Sequence, residues 1–279
     1  MKLFKIALAS LILFCAVGAR NIYAQNETRE AYSKVFGDYQ LKYQEYILAH
    51  ERYVLSRREY YKYLTLSSKE KLQEDTADML IIRDEVLVSY YRSVIAKMGD
   101  NLITMSDERK NETIQKYNDE ITWLNEHKNL YQKNDSPQTL SVKSEEVDTR
   151  FKKFQGDNYK SLYYISRGKM QTYGERYNFL YNELFNLTEK IKAEQRDAYK
   201  LSDSKLEIIY RWFGEIGTKD EAYVKLLDTA DAGIYKATEK TAQGVYNLAL
   251  QTLLKAMNLF NEKILYAKEV VNEIKVSEN

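Results

Sequence analysis

Residues 31–64, AYSKVFGDYQLKYQEYILAHERYVLSRREYYKYL, set a tyrosine at 32, 39, 46, 53 and 60, one at every seventh position. A second series, Phe36, Tyr43, His50, Arg57 and Leu64, falls between them, so that the two together alternate steps of four and three. An α-helix keeps such a strict seven-residue repeat against a partner helix only by left-handed supercoiling around it. The spacing therefore predicts a long helix with a helical partner. Tyrosine at the seam points to a bundle of several helices, because its ring buries a large apolar area while its hydroxyl needs water or a partner at the edge.

The same alternation runs from Tyr159 to Ile191, and again from Tyr246 to Ile274 through Leu250, Met257 and Ile264. Ser67 with Glu70, Ser204 with Glu207 and Thr218 with Glu221 fit the capping box, and Ser136 before Pro137 fits an N-cap with proline in the first turn. Gly217 reads as a helix C-cap. With a single proline in 279 residues, these signals predict helices near 28–66, 68–98, 107–133, 137–155, 158–199, 205–215 and 219–275, and no strand. The small residues Ala230, Gly233, Ala237, Thr241 and Gly244 allow either close backbone approach or a kink. The expected fold is all-α, an elongated antiparallel helical bundle with coiled-coil heptads and long helices. It forms one domain over 25–279, with KNDSPQT at 133–139 as the sub-boundary if there are two halves.

The opening MKLFKIALASLILFCAVGARNIYAQN carries Lys2 and Lys5, an apolar run from Ile6 to Val17 and the small-residue site IYA, the pattern of a secretory signal peptide cleaved after Ala24. An uncleaved N-terminal membrane anchor is the second reading, since the run falls short of the roughly 20 residues that span a bilayer. A lipid anchor at Cys15 ranks below both, because Phe14 stands where a small residue is required. Removal of residues 1–24 takes three of the 42 basic residues and none of the 41 acidic ones, moving the formal charge from +1 to −2. It also takes the only cysteine. A mature chain without thiols is held by its core and not by disulfides, and its near-neutral charge argues against nucleic acid as a partner.

Chemistry-bearing motifs are sparse. His50 opens HERYV like a zinc-protease helix, but Val54 occupies the place of the second histidine, and residue 124, three before His127, is leucine where a Glu-x-x-His element needs glutamate. His50 reads as a polar seam residue. No phosphate loop, nucleophile elbow or calcium loop occurs, so neither a cofactor nor a catalytic set is expected. One surface stands out: RFKKFQGDNYKSLYYISRGK, residues 150–169, holds six basic residues against Asp157. Arg150, Phe151, Lys152, Lys153, Phe154, Lys160, Arg167 and Lys169 form the candidate binding surface. Basic heads among aromatic rings hold phosphate, acidic glycan or lipid headgroups. The competing reading is a solvated basic face over buried rings, opposite the acidic stretch 70–85.

The signal followed by QLKYQEYILAHERYVLSRREYYKYLTL and then MLIIRDEVLVSYY resembles uncharacterised exported helical proteins of bacteria, over the first third of the chain. The resemblance implies an exported address and carries no functional motif. The expected function is that of a non-enzymatic exported helical protein acting by protein–protein contact or self-association through its heptad faces, as an envelope scaffold, adaptor or assembly factor. A bundle that binds anionic glycan or lipid headgroups at 150–169 comes second. A membrane-active helical toxin comes third.

Overall fold

The computed structural model describes residues 26–194, 200–238 and 240–275, with side-chain burial from residue 30 onward; residues 1–24, where a signal peptide is expected, and Cys15 among them lie outside the described residues. Six α-helices, and no strand among the described residues, make the protein all-α: α1 Asn26–Tyr63, α2 Leu66–Met98, α3 Asp107–His127, α4 Pro137–Glu194, α5 Asp203–Tyr235 and α6 Ala242–Lys275, with a 3-10 turn at Lys128–Leu130 after α3.

Some helix ends follow the local signals and others do not. Ser136 caps α4 as expected, its Oγ accepting from the Thr139 N–H at 3.1 Å with Pro137 in the first turn. At α2 the capping box is Thr65 with Ser68 instead of Ser67 with Glu70: Thr65 Oγ1 accepts from the Ser68 N–H at 3.2 Å, and Ser68 Oγ accepts from the Thr65 N–H at 3.1 Å. Ser202, not Ser204, caps α5. The interruptions expected near 155–158 and 215–219 are absent. α4 is continuous for 58 residues through Gly156, and α5 runs through Gly217, where the Thr218 hydroxyl donates to Gly214 O at 3.2 Å instead of capping. The break falls after Tyr235, in the small-residue stripe, where the Thr238 N–H donates to Thr241 Oγ1 at 3.0 Å.

The chain divides into two compact units that part between Phe154 and Gln155, with Leu102–Thr104 belonging to the second. The stretch 133–139 lies inside the first.

In the first unit α1 and α2 run in opposite directions: the Lys97 ammonium lies over the Tyr32 ring at 4.6 Å, Tyr39 meets Tyr90 at 5.8 Å, and Lys42 Nζ reaches Glu85 at 3.2 Å. The tyrosine column is the inner face of α1, buried at Tyr32 and Tyr39 and half-buried at Tyr46, Tyr53 and Tyr60. Its companion is Val35, Lys42, Ala49 and Ser56, of which Ala49 and Ser56 are buried, while Arg57 and Leu64 of the expected companion series are exposed. Beside a large ring the space between two helices admits a small side chain, so the bulkier neighbours move to the rim. Tyr91, Tyr117 and Phe154 close the unit with three mutual edge-on contacts of 5.0–5.4 Å, the geometry favoured by the ring quadrupole.

The second unit repeats the logic. α5 and α6 run in opposite directions through Lys219–Glu262 at 2.6 Å and Tyr223–Phe260 at 5.8 Å. The inner stripe of α6 is Ala242, Tyr246, Ala249, Leu253, Ala256, Phe260, Lys263 and Val270, all buried. It keeps the expected column of Tyr246, Leu253 and Phe260 but takes Ala249, Ala256 and Lys263 in place of Leu250, Met257 and Ile264. α4 adds Tyr159 against Tyr246 at 5.2 Å and Tyr177 against Phe260 at 5.5 Å. Residues 102–104 lie directly on α4, with the Thr104 N–H donating to Gly168 O at 3.2 Å.

Candidate functional site

The structure distributes the basic aromatic stretch between the two units, Arg150–Phe154 in the first and Lys160, Arg167 and Lys169 in the second. Its rings are largely structural. Phe154 is core, Tyr159 and Tyr163 are buried, and Phe151 is half-buried. Two of its cations are engaged internally. Arg150 Nε meets Glu120 at 2.9 Å, not the acidic stretch 70–85, and its guanidinium lies over Trp123 at 4.6 Å. Arg167 Nε meets Asp231 at 3.2 Å, and the same carboxylate accepts from the Tyr163 hydroxyl at 2.6 Å. Burial first, and then that hydrogen bond, push the Tyr163 phenol far above its usual range. Lys169 lies over Tyr173 at 5.7 Å. Lys160 is half-buried, and Lys152 and Lys153 point into solvent.

An open groove at the start of this stretch is lined by Trp123, Val142, Glu145, Glu146, Thr149, Arg150 and Lys153, and His127 lies against two of these residues, Trp123 and Glu146. His127 is 2% exposed, stacked on Trp123 at 4.6 Å and edge-on to Tyr131 at 5.2 Å. Its Nδ1 faces Asp84 Oδ2 at 2.9 Å, while Nε2 has no hydrogen-bond partner and lies 3.6 Å from Glu146 Oε2. Arg83 completes the cluster, holding Asp84 Oδ1, the Tyr131 hydroxyl at 3.0 Å and Ser144 Oγ at 2.7 Å. Sequence reasoning missed this pairing. The signal was there in Arg83 and Asp84 within the apolar run MLIIRDEVLV, since charges placed in a buried segment are found paired. The cluster joins α2, the end of α3 and α4, and Asp84 orients the imidazole through Nδ1. Among the described residues no group of three histidine, cysteine, aspartate or glutamate side chains is arranged to hold a metal.

An uncovered apolar column runs along α1. Leu48 lies nine residues from Tyr39, two and a half turns, and so on the opposite side of the helix. With Leu41 and Leu55 it forms a column at seven-residue spacing, 66%, 57% and 54% exposed from Leu41 to Leu55. Val54 and Tyr61, 39% and 66% exposed, widen it. His50 sits half-buried between the two faces, ringed by Tyr46 at 6.0 Å and Tyr53 at 6.1 Å. α1 thus has one apolar column turned to α2 and a second turned to solvent. Neither a family model, nor a curated protein, nor a solved structure matches the chain.

Proposed function

We propose that this is an exported, non-enzymatic helical protein that works by protein–protein contact, as a scaffold, adaptor or assembly factor of a cell envelope. The observation that carries the reading is the leucine column Leu41, Leu48 and Leu55, which repeats on the outer face of α1 the heptad spacing by which its inner face packs on α2. In this reading the column is a coiled-coil seam awaiting a partner helix. Covering three leucines that are each more than half exposed contributes roughly 3–5 kcal/mol before the entropy of association, at about 1.5–3 kcal/mol for each fully buried leucine. The anionic-ligand alternative at 150–169 has fewer cations to offer, since Arg150 and Arg167 are already paired.

The test is a photo-crosslinking residue at position 48 or 55 in the exported protein of the native host. A covalent protein adduct is expected from both positions, and it disappears in Leu41→Glu, while Leu41→Glu itself changes stability by no more than about 0.5 kcal/mol, as exposed substitutions do. Absence of any adduct from either position sinks the proposal.

A further inference from the structure

The α1–α2 hairpin ends in a tip made of Tyr61, Lys62, Tyr63, Leu64, Thr65 and Leu66, all exposed. Leu66 and Leu64, at 71% and 70%, are the most exposed large apolar side chains among the described residues, and Tyr61 shares the next value, 66%, with Leu41, Phe179 and Leu248, while Tyr63 is 58% exposed. Leu64 is also the only described non-glycine residue with positive φ, at 52°. Its N–H donates to Tyr60 O at 2.8 Å and closes the last turn of α1. This is the left-handed helix-terminating position, where glycine or asparagine is the rule because a Cβ crowds the following carbonyl. A leucine there carries that steric cost while most of its side chain, 70%, stays exposed. A terminator alone would be served better by glycine.

The chemistry around Leu64 is basic and aromatic. Arg57, Arg58, Lys62 and Lys69 lie within seven residues of Leu64 in the sequence, against Glu59 and Glu70. The Arg57 guanidinium lies over Tyr61 at 5.8 Å and the Lys62 ammonium over Tyr63 at 4.9 Å, so rings and cations share one end of the hairpin. An apolar apex inside a collar of tyrosines and basic heads matches the layers of a bilayer surface: acyl chains, then the headgroup level that tyrosine prefers, then phosphates. No described helix is long and apolar enough to cross a membrane.

We propose that this tip docks on an anionic phospholipid surface, with Leu64 and Leu66 entering the acyl boundary, Tyr61 and Tyr63 at headgroup level, and Arg57, Arg58, Lys62 and Lys69 on the phosphates. The inference is independent of the leucine column on α1.

The experiment uses the exported chain from Gln25 onward, which has no cysteine of its own and lacks the apolar run 6–17 that would itself bind vesicles, with a polarity-sensitive dye on Leu64→Cys. Vesicles of phosphatidylcholine with phosphatidylglycerol shift the dye emission to the blue, pure phosphatidylcholine vesicles do not, and a dye on Lys133→Cys is silent. Arg58→Glu with Lys62→Glu lowers the apparent affinity at least about tenfold, each basic residue near an anionic surface contributing on the order of a factor of five. Unlabelled Leu64→Gly separates the tip from folding defects: it raises the melting temperature by relieving the left-handed strain, yet weakens vesicle binding. No dye shift on anionic vesicles, an equal shift on neutral ones, or undiminished binding by Leu64→Gly overturns the proposal.

Discussion

Lys263 is 1% exposed, and its removal should be tolerated better than removal of its partner. Its ammonium is paired with Asp220 and lies 4.5 Å from the Tyr177 ring centre, 5.1 Å from Tyr223 and 5.7 Å from Phe260. The two partners differ in solvation, since the Asp220 side chain is 42% exposed. Asp220→Ala strands a cation among three rings. Leaving a buried charge without its partner costs about 3–5 kcal/mol, and the ring faces offset on the order of 2 kcal/mol of that. A net loss of roughly 1–3 kcal/mol follows. Lys263→Met strands only a carboxylate that water already reaches, and it puts a thioether against aromatic faces, a favourable contact; we expect stability within about 1 kcal/mol of the wild type. The double variant should match Lys263→Met alone, because the coupling is lost once either partner is gone. Urea denaturation followed by circular dichroism measures all three, each unit's transition being fitted separately if two appear. Lys263→Met falling as far as or further than Asp220→Ala would refute the reasoning.

Gly168→Ala should destabilise the second unit by about 1–3 kcal/mol, the usual cost of an overpacked contact, because the new Cβ would meet Thr104 O at 2.4 Å and Ile103 Cγ2 at 2.9 Å; a urea midpoint unchanged from wild type would contradict the close approach. Burial holds the phenols of Tyr39, Tyr91, Tyr131, Tyr163 and Tyr177 well above their usual range. A phenol raised in the folded state contributes stability that is complete below its unfolded value of about 10 and is lost as pH rises past it. Melting temperature should therefore fall steadily above about pH 10, and absorbance titration should show these tyrosines ionising only with alkaline unfolding; smooth titration of all 25 tyrosines in the folded state would count against their burial.

Much of the fold was legible because helix formation is local. The periods of four and three, the single proline and Ser136–Pro137 all act within one or two turns, and α1, α2, α3 and the start of α4 lie close to where these signals put them. Glycine misled at Gly156 and Gly217, since a helix tolerates glycine when its flanks are packed and only the tertiary structure says whether they are. At 150–169 the composition was read correctly as basic and aromatic, but Arg150 and Arg167 found Glu120 and Asp231, partners 30 and 64 residues away. No spacing rule reaches that far.

From the sequence alone came the all-helical class and one column of each seam, Tyr32 to Tyr60 on α1 and Tyr246 to Phe260 on α6, because a large side chain at every seventh position has no comparable home elsewhere on a helix. The companion column was settled only by the neighbouring helix. Packing beside those rings left room for Ala49, Ser56, Ala249 and Ala256 and turned Leu64 and Ile264 outward. It also admitted Lys263, whose charge is tolerable inside only because Asp220 and Tyr223 of α5, Tyr177 of α4 and Phe260 of its own helix converge on it. A repeat in the sequence records which face is apolar; how much volume that face can accept is a property of the partner surface.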